Sequence, residues 1–398
     1  MTATVAPRAV ERAKVAVGAA FTINGLAIAS WISRVPAARD QLGSSSSRLG
    51  LLLLCASLGS VLALPASGAV VHRLGPARSA FCGGSVSVTG MLVLAAGLTA
   101  GGAPLAALGL FLLGAGIAFW DVSMNVEGAD VEHRLGRAVM PRFHAGFSLG
   151  TVAGGLGGAA AAALEVSLAA QLVVTAVLVL AALAVATRSF LPVEEAPDQT
   201  AGSRSGASRA WREPRTLLLG LLVLTFAFTE GTAYDWLAVG LTDGYGAGEV
   251  LAATGFAIFV AAMTAVRIVG TTLLDRYGRV PVLRAGAVAA LAGVVLFVLS
   301  PSAPVALAGA VLWGAGAALG FPVGMSAAAD EPARAAARVS VVSSIGYTAF
   351  LAGPPLIGFL ADATGILRAM LVVLVALAVG APAVGAVRPA VAQGRVAA

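Results

Sequence analysis

The chain has 398 residues, 59% of them hydrophobic and 11% charged, with 25 Lys and Arg against 19 Asp and Glu. A mean hydropathy of +0.93 and so few charges exclude a water-soluble globular protein, which carries about 25% charged residues. The net charge of +6 is no nucleic-acid footprint here, because its placement along the chain carries more information than its total.

Apolar runs of roughly 20 residues, the length that crosses a hydrocarbon core of about 30 Å, recur between charged or Gly/Pro-rich breaks. They predict helices near 15–33, 49–71, 79–99, 104–126, 140–163, 168–189, 216–240, 249–273, 281–300, 304–326, 338–360 and 365–387. The fold class is therefore an all-α membrane protein with twelve transmembrane helices. If the N-terminus lies inside, the inside segments hold 20 Lys and Arg. The outside segments hold four (Arg34, Arg39, Arg48 and Arg368), and Arg267 alone lies within a span. This asymmetry predicts cytoplasmic termini and a multi-pass protein of the bacterial inner (plasma) membrane. Its partners then include the lipid bilayer and no nucleic acid, and a monomer is expected. The basic residues before the first span resemble those of a signal peptide, but eleven further spans follow, so it is read as uncleaved. The hydrophilic stretch 191–215 reads as a flexible cytoplasmic linker between a six-helix bundle at 1–190 and a second at 216–398.

Several chemistries are excluded by inventory. Lysine occurs once, at Lys14, followed by Val15, so the Gly-rich loop ending in Lys-Ser/Thr that cradles nucleotide phosphates is absent. Cys55 and Cys82 lie in apolar runs without metal-ligand or C-x-x-C spacing and read as small buried hydrophobes. Gly146, Ser148 and Gly150 spell a nucleophile signature by letters, yet within a spanning helix they make a packing face. His72, His133 and His144 have no metal-ligand spacing. The chain is read as no enzyme, with no metal and no cofactor.

The two halves repeat. The Gly-Ala-Gly run at 114 recurs at 314, and Gly146 recurs at 346, both at an offset of 200. Trp31 and Trp236 are 205 apart, and His72-Arg73-Leu74-Gly75 matches Asp275-Arg276-Tyr277-Gly278 at 203. Four markers in one order indicate duplicated six-helix units. These features resemble the major facilitator superfamily along nearly the whole chain. Its loop motif after the second and eighth helices is matched by Gly68, His72, Arg73, Gly75, Pro76 and Arg78, and by Thr271, Asp275, Arg276, Gly278 and Arg279. The departures are His72 for aspartate, Pro76 for a basic residue and Thr271 for glycine. The resemblance implies the major facilitator fold, alternating access between two halves, and a gating role for Arg73, Gly75, Arg78, Arg142, Asp275, Arg276, Gly278 and Arg279.

Ionisable residues inside spans are costly unless they face a cavity or a partner. Asp121 is the most informative, because Gly114, Ala118, Asp121 and Asn125 share one helical face. With its helix ending near 126, Asp121 is expected roughly 8 Å deep, within reach of His144 as a protonatable pair. Trp120-Asp121, Asn125, Arg142-Phe143-His144 and Phe147-Ser148-Leu149-Gly150 resemble the fucose permease-like branch, proton symporters of sugars. In that branch an acid in the fourth helix, with asparagine four positions on, serves proton coupling and the substrate. The resemblance gives these roles to Asp121 and Asn125. The branch's acid in the first helix has no match, and Asn24 and Trp31 are the candidates offered there. In the seventh helix Glu230 and Tyr234 share a face suited to a polyol, Trp236 is a candidate wall opposite Trp31, and Asp235 is expected to be solvated. Arg267 is expected to snorkel toward the cytoplasm or pair with Asp275. Gly353-Pro354-Pro355 marks an expected break, and the proline of the antiporter motif is absent from the fifth helix. The reading is a proton-coupled symporter of a small polar solute such as a sugar or related metabolite. The alternative is proton-driven efflux of a drug-like or secondary metabolite.

Overall fold

The computed structural model describes residues 7–137, 139–191, 209–331 and 334–388. Most of the expected linker, 192–208, lies outside the described residues.

Twelve membrane-crossing segments run in chain order. They are α1 (Pro7–Ile32), then α3 (Ser46–Leu74) after a short α2 (Val35–Gln41), α4 (Pro76–Thr99), α5 (Ala103–Leu135), α6 (Met140–Ala163) and α7 (Leu168–Thr187). The second set is α8 (Pro214–Tyr245), α9 (Glu249–Tyr277), α10 (Arg279–Leu299), a tenth span split into α11 (Ala303–Ala317) and α12 (Gly320–Ala328), and α13 (Ala335–Thr364). A twelfth is made of α14 (Ile366–Met370), α15 (Val372–Gly380) and a 3₁₀ turn, Ala381–Val387. Among the described residues eleven helices are long and apolar enough to cross a membrane. The twelfth, α6, is as long, but its glycines dilute its hydropathy. Val177, Leu178, Val185, Ile268, Val288 and Val375 are exposed around the bundle, a belt that only lipid covers without penalty.

Helix starts and turns follow from local chemistry. Pro76, Pro104, Pro141, Pro214 and Pro304 occupy the first turn of their helices, where the missing N–H costs nothing. Gly75 and Gly278 sit at the same turn of the two halves with φ/ψ of 79/159° and 78/164°, a region open only to glycine. The repeat is thus written in the backbone. It is written again in packing: Gly83 lies against Gly116 and Trp120, and Gly109 against Leu94, just as Gly286 lies against Gly316, and Gly309 against Phe297.

Three expectations are corrected. The fourth span continues to Leu135 because Asp130 and Arg134 form an i,i+4 pair that supports a hydrophilic helical end. Gly136, at φ 62°, stops it. Asp121 is then fourteen residues, or about 21 Å, from the helix end. Pro354 and Pro355 do not break α13, which runs through both. The tenth span, read as continuous, breaks at Ala318–Leu319.

The two sets of helices meet along two lines, α3 with α13 and α6 with α9. Both lines are tight toward the face opposite the chain ends. A Cβ on Gly50 would sit 2.6 Å from the Pro354 carbonyl oxygen, and one on Gly358 would sit 2.5 Å from that of Ser46. At the chain-end face, Glu213 accepts from Arg338 Nε at 2.6 Å and Arg279 Nη1 donates to Asp330 at 2.8 Å. Burial is the largest single influence on the Glu213 carboxyl and raises its pKa, but the hydrogen bonds from Arg338 and Thr216 and the charges of Arg338 and Arg334 together hold the group below its ordinary value. A depressed carboxylate contributes stability that is present above its unfolded pKa and lost as pH falls through its folded one. Thermal unfolding in detergent is therefore expected to show Glu213→Gln less stable than wild type at pH 7. The gap should close below about pH 4, and a gap independent of pH would contradict the assignment.

Candidate functional site

The polar residues at mid-depth converge on the space between the two sets of helices. On α5, Gly114 packs so closely on α3 that a Cβ would meet the Ala56 carbonyl oxygen, and Asp121 and Asn125 follow on the same helical face. Asn125 Nδ2 donates to the Asp121 backbone oxygen at 2.9 Å and to its carboxylate Oδ1 at 3.2 Å. Asp121 is half-buried, has no cationic partner among the described residues, and lies close enough to Tyr347 of α13 for its charge to be felt there.

His144 does not pair with Asp121. Its ring stands edge-on to Phe21 with centroids 5.0 Å apart, and the charge felt at it comes from across the interface, from Arg267 of α9. The physical reason is the longer α5, which carries Asp121 deeper than the first turns of α6.

In the second half, Glu230 and Arg267 form an ion pair, with Nη2 at 3.1 Å from both carboxylate oxygens. Arg267 Nε donates to the Ala318 carbonyl at 3.1 Å, an acceptor at the α11–α12 break where helical bonding lapses. Arg267 therefore neither snorkels nor pairs with Asp275. At this depth a carboxylate and a backbone carbonyl lie within reach of the guanidinium, and an intramembrane cation pairs where it can. The sequence held a signal for this. Glu230 lies 15 residues before the end of α8 and Arg267 18 after the start of α9, so the antiparallel pair brings them level. Tyr234 stands edge-on to Phe256 and Phe259 at 5.4 and 6.1 Å, within electrostatic reach of both Glu230 and Arg267. Asp235 is half-buried, without an ion-pair partner among the described residues.

Other candidates lie elsewhere. Asn24 is 1% exposed with neither amide atom hydrogen-bonded among the described residues, Trp31 is buried, and Trp236 is 0% exposed. The tryptophans are not cavity walls, because tight crossings such as that of Gly25 on Phe147 draw these faces into helix packing. Of the loop residues, Gly75 and Gly278 make the turns described above, Arg279 pairs with Asp330, and Arg276 lies over the Tyr277 ring at 5.3 Å. Arg73, Arg78, Arg142 and Asp275 take no ion-pair partner among the described residues. The ion pairs that described residues form at this face stay within one half.

The ion pairs that join the halves are at the other face, and of their residues the sequence reading counted only Arg34 and Arg39, as loop charges. Arg34, with a side chain 5% exposed, is anchored in its own half by the Val166 carbonyl at 2.7 Å and Gln171 Oε1 at 3.0 Å. It reaches Glu249 Oε2 at 2.6 Å. Arg39 donates to Asp243, whose hydrogen bond holds the guanidinium above its already high ordinary pKa. Asp362 accepts from the Ser46 and Ser47 backbone N–H groups at 2.9 and 3.1 Å, capping α3 from the other half. Arg34 and Arg39 were also exceptions to the charge asymmetry, which was the available signal.

A family model described as "Major Facilitator Superfamily" matches residues 13–340 and 236–396. An "Uncharacterized transporter y4wD" of Sinorhizobium fredii is 34% identical over 348 residues, covering 87% of this chain and 90% of that protein. Among solved structures, the nucleoside transporter NupG superposes with a TM-score of 0.74 at 15% identity over 94% of this chain and 98% of that one. A single-residue variant of the E. coli fucose:proton symporter FucP does so at 0.63 and 16% identity over 95% and 98%.

Proposed function

The chain belongs to the Major Facilitator Superfamily, as a multi-pass membrane transporter and not an enzyme, and from that premise we propose that it is a proton-coupled symporter of a small polar solute. The halves 1–190 and 216–398 rock about the cleft that holds Asp121, with the chain ends on the cytoplasmic side, so that the arrangement described is the inward-open one. The observation that carries this reading is Asp121: a half-buried intramembrane carboxylate whose hydrogen-bond partner is a neutral amide. Such a group is expensive when charged and has no cation among the described residues to neutralise it, so binding and releasing a proton lowers the cost of moving it between two exposures. His144, on α6 of the same half and within the field of Arg267, is a second titratable group, and Asn125, Glu230 and Tyr234 supply hydrogen-bonding capacity for the solute. The structural likeness to a nucleoside transporter and a fucose:proton symporter supports a hydroxyl-rich cargo.

Reconstituted protein on a solid-supported membrane, challenged with sugars and with hydrophobic amphiphiles, tests this. An inward current evoked by a sugar and growing with the proton gradient is the expected result. Response to amphiphiles alone would replace the reading with proton-driven efflux.

A further inference from the structure

The Glu230–Arg267 pair is more than a neutralised charge. Arg267 Nε is held by the Ala318 carbonyl and Nη2 by Glu230, so two of its three nitrogens are fixed by the protein. Nη1 takes no protein partner among the described residues and is not among the buried unpartnered atoms. With the side chain 29% exposed and Glu230 16%, a rigid donor and a rigid acceptor face the cleft side by side. Tyr234 lies beside them, and His144 is opposite.

We infer that Glu230 and Arg267 form a clamp for a vicinal diol of a neutral polyol, Arg267 Nη1 donating to one hydroxyl oxygen and a Glu230 oxygen accepting from its neighbour. The inference rests on the reading of the protein as a transporter of a polar solute and adds the recognition element and the cargo's charge class. Adjacent hydroxyls present an acceptor and a donor about as far apart as a paired guanidinium and carboxylate, and charge-assisted hydrogen bonds are roughly twice as strong as neutral ones. A neutral solute fits the charge balance. Glu230 already cancels Arg267, so an anion at Nη1 would bring its charge beside the Glu230 carboxylate. The break at Ala318 has a role in this arrangement. It supplies the carbonyl that fixes the guanidinium plane, so ordering the side chain costs less when the solute binds.

The test is calorimetric binding to purified full-length protein in detergent, using neutral hexoses and inositols, their monodeoxy analogues, and the matching uronic acids and amino sugars. Wild type is expected to prefer neutral vicinal diols. Removing one of the paired hydroxyls should weaken binding about ten- to a hundredfold, the span of one hydrogen bond to a charged group. Arg267→Lys, which keeps the charge and loses the fork, should bind diol and monodeoxy compound alike. The double variant Glu230→Gln/Arg267→Gln conserves net charge, and it stands in if the single change fails to fold. Equal or tighter binding of acids or amino sugars, failure of every compound to bind wild type, or unchanged diol selectivity in both variants would overturn the clamp. Diol-selective binding without proton current would count against the proton-coupling reading alone, and proton current with unaltered selectivity in the variants would count against the clamp alone.

Discussion

Proteoliposomes carrying Asp121→Asn are expected to exchange solute across the bilayer at equilibrium and to accumulate none against a gradient. A proton moving down about 100 mV releases ~2.3 kcal/mol, and one pH unit adds ~1.4. Together these sustain an accumulation of about 500-fold, all of which passes through the coupling carboxylate. The amide has the shape of the protonated acid, and Asn125 keeps its bond to the Asp121 backbone oxygen, so folding is expected to be unchanged. What is lost is the charged state that forbids the empty, unprotonated carrier from reorienting. The variant should therefore also lose the pH dependence of exchange. Counterflow and gradient-driven uptake of the same radiolabelled solute separate the two outcomes, and full accumulation by Asp121→Asn would remove the residue from the coupling role.

Opening the far face is the second large effect. Two ion pairs and one helix cap hold the halves together there, whereas the described ion pairs at the chain-end face stay within one half. Glu249→Gln leaves Arg34 Nη1 bonded to Val166 and Gln171 but removes the counter-ion of its charge. Asp243→Asn similarly leaves Arg39 bonded to Asp40. Exposed pairs contribute about 0–1 kcal/mol and a hydrogen bond to a charged group about 1.5–3, and here Arg34 is buried while Glu249 is 42% exposed. The double variant is expected to lose ~2–3 kcal/mol of preference for the closed far face, shifting the ratio of states about 30- to 150-fold. Spin labels at Gln41 and Val250, with Cys55 and Cys82 replaced by serine, would report a longer distance population in the double variant. An unchanged distribution would mean that the glycine-lined crossings of α3 with α13 and α6 with α9 hold the face alone.

The helices were legible because lipid imposes a length and a composition on every span, and ten of the twelve expected segments appear as one unbroken helix. The halves' shared turn was legible because a tight turn between antiparallel spans needs a residue that tolerates positive φ, and Gly75 and Gly278 stand in matching places. Less legible was anything set by the rotation of one helix against another. Asp121 and His144 are level only if α5 ends near 126, and its continuation to Leu135 carries Asp121 deeper than the first turns of α6. Trp31 and Trp236 are matched by the repeat yet buried by crossings that composition does not specify. Glu230 and Arg267 were each identified as misplaced charges, but their pairing required the register of α8 against α9. The contacts at the far face escaped because positive residues in short loops read first as topology signals.

The glycines of the α4–α5 and α10–α11 pairs carry one more consequence. Gly83, Gly90 and Gly97 recur every seven residues, as do Gly109 and Gly116 opposite, and Gly286, Gly293, Gly309 and Gly316 repeat the pattern in the second half. Each pair joins helices adjacent in sequence, so its contacts form between neighbours as soon as both have entered the bilayer, with little loop entropy to overcome. Because lipid offers no hydrophobic drive for helices to associate, close backbone approach is what holds them. Biogenesis would then begin from two hairpins, one in each half, on which the longer-range neighbours assemble, so the order in which the protein is built is inscribed in where it lacks side chains.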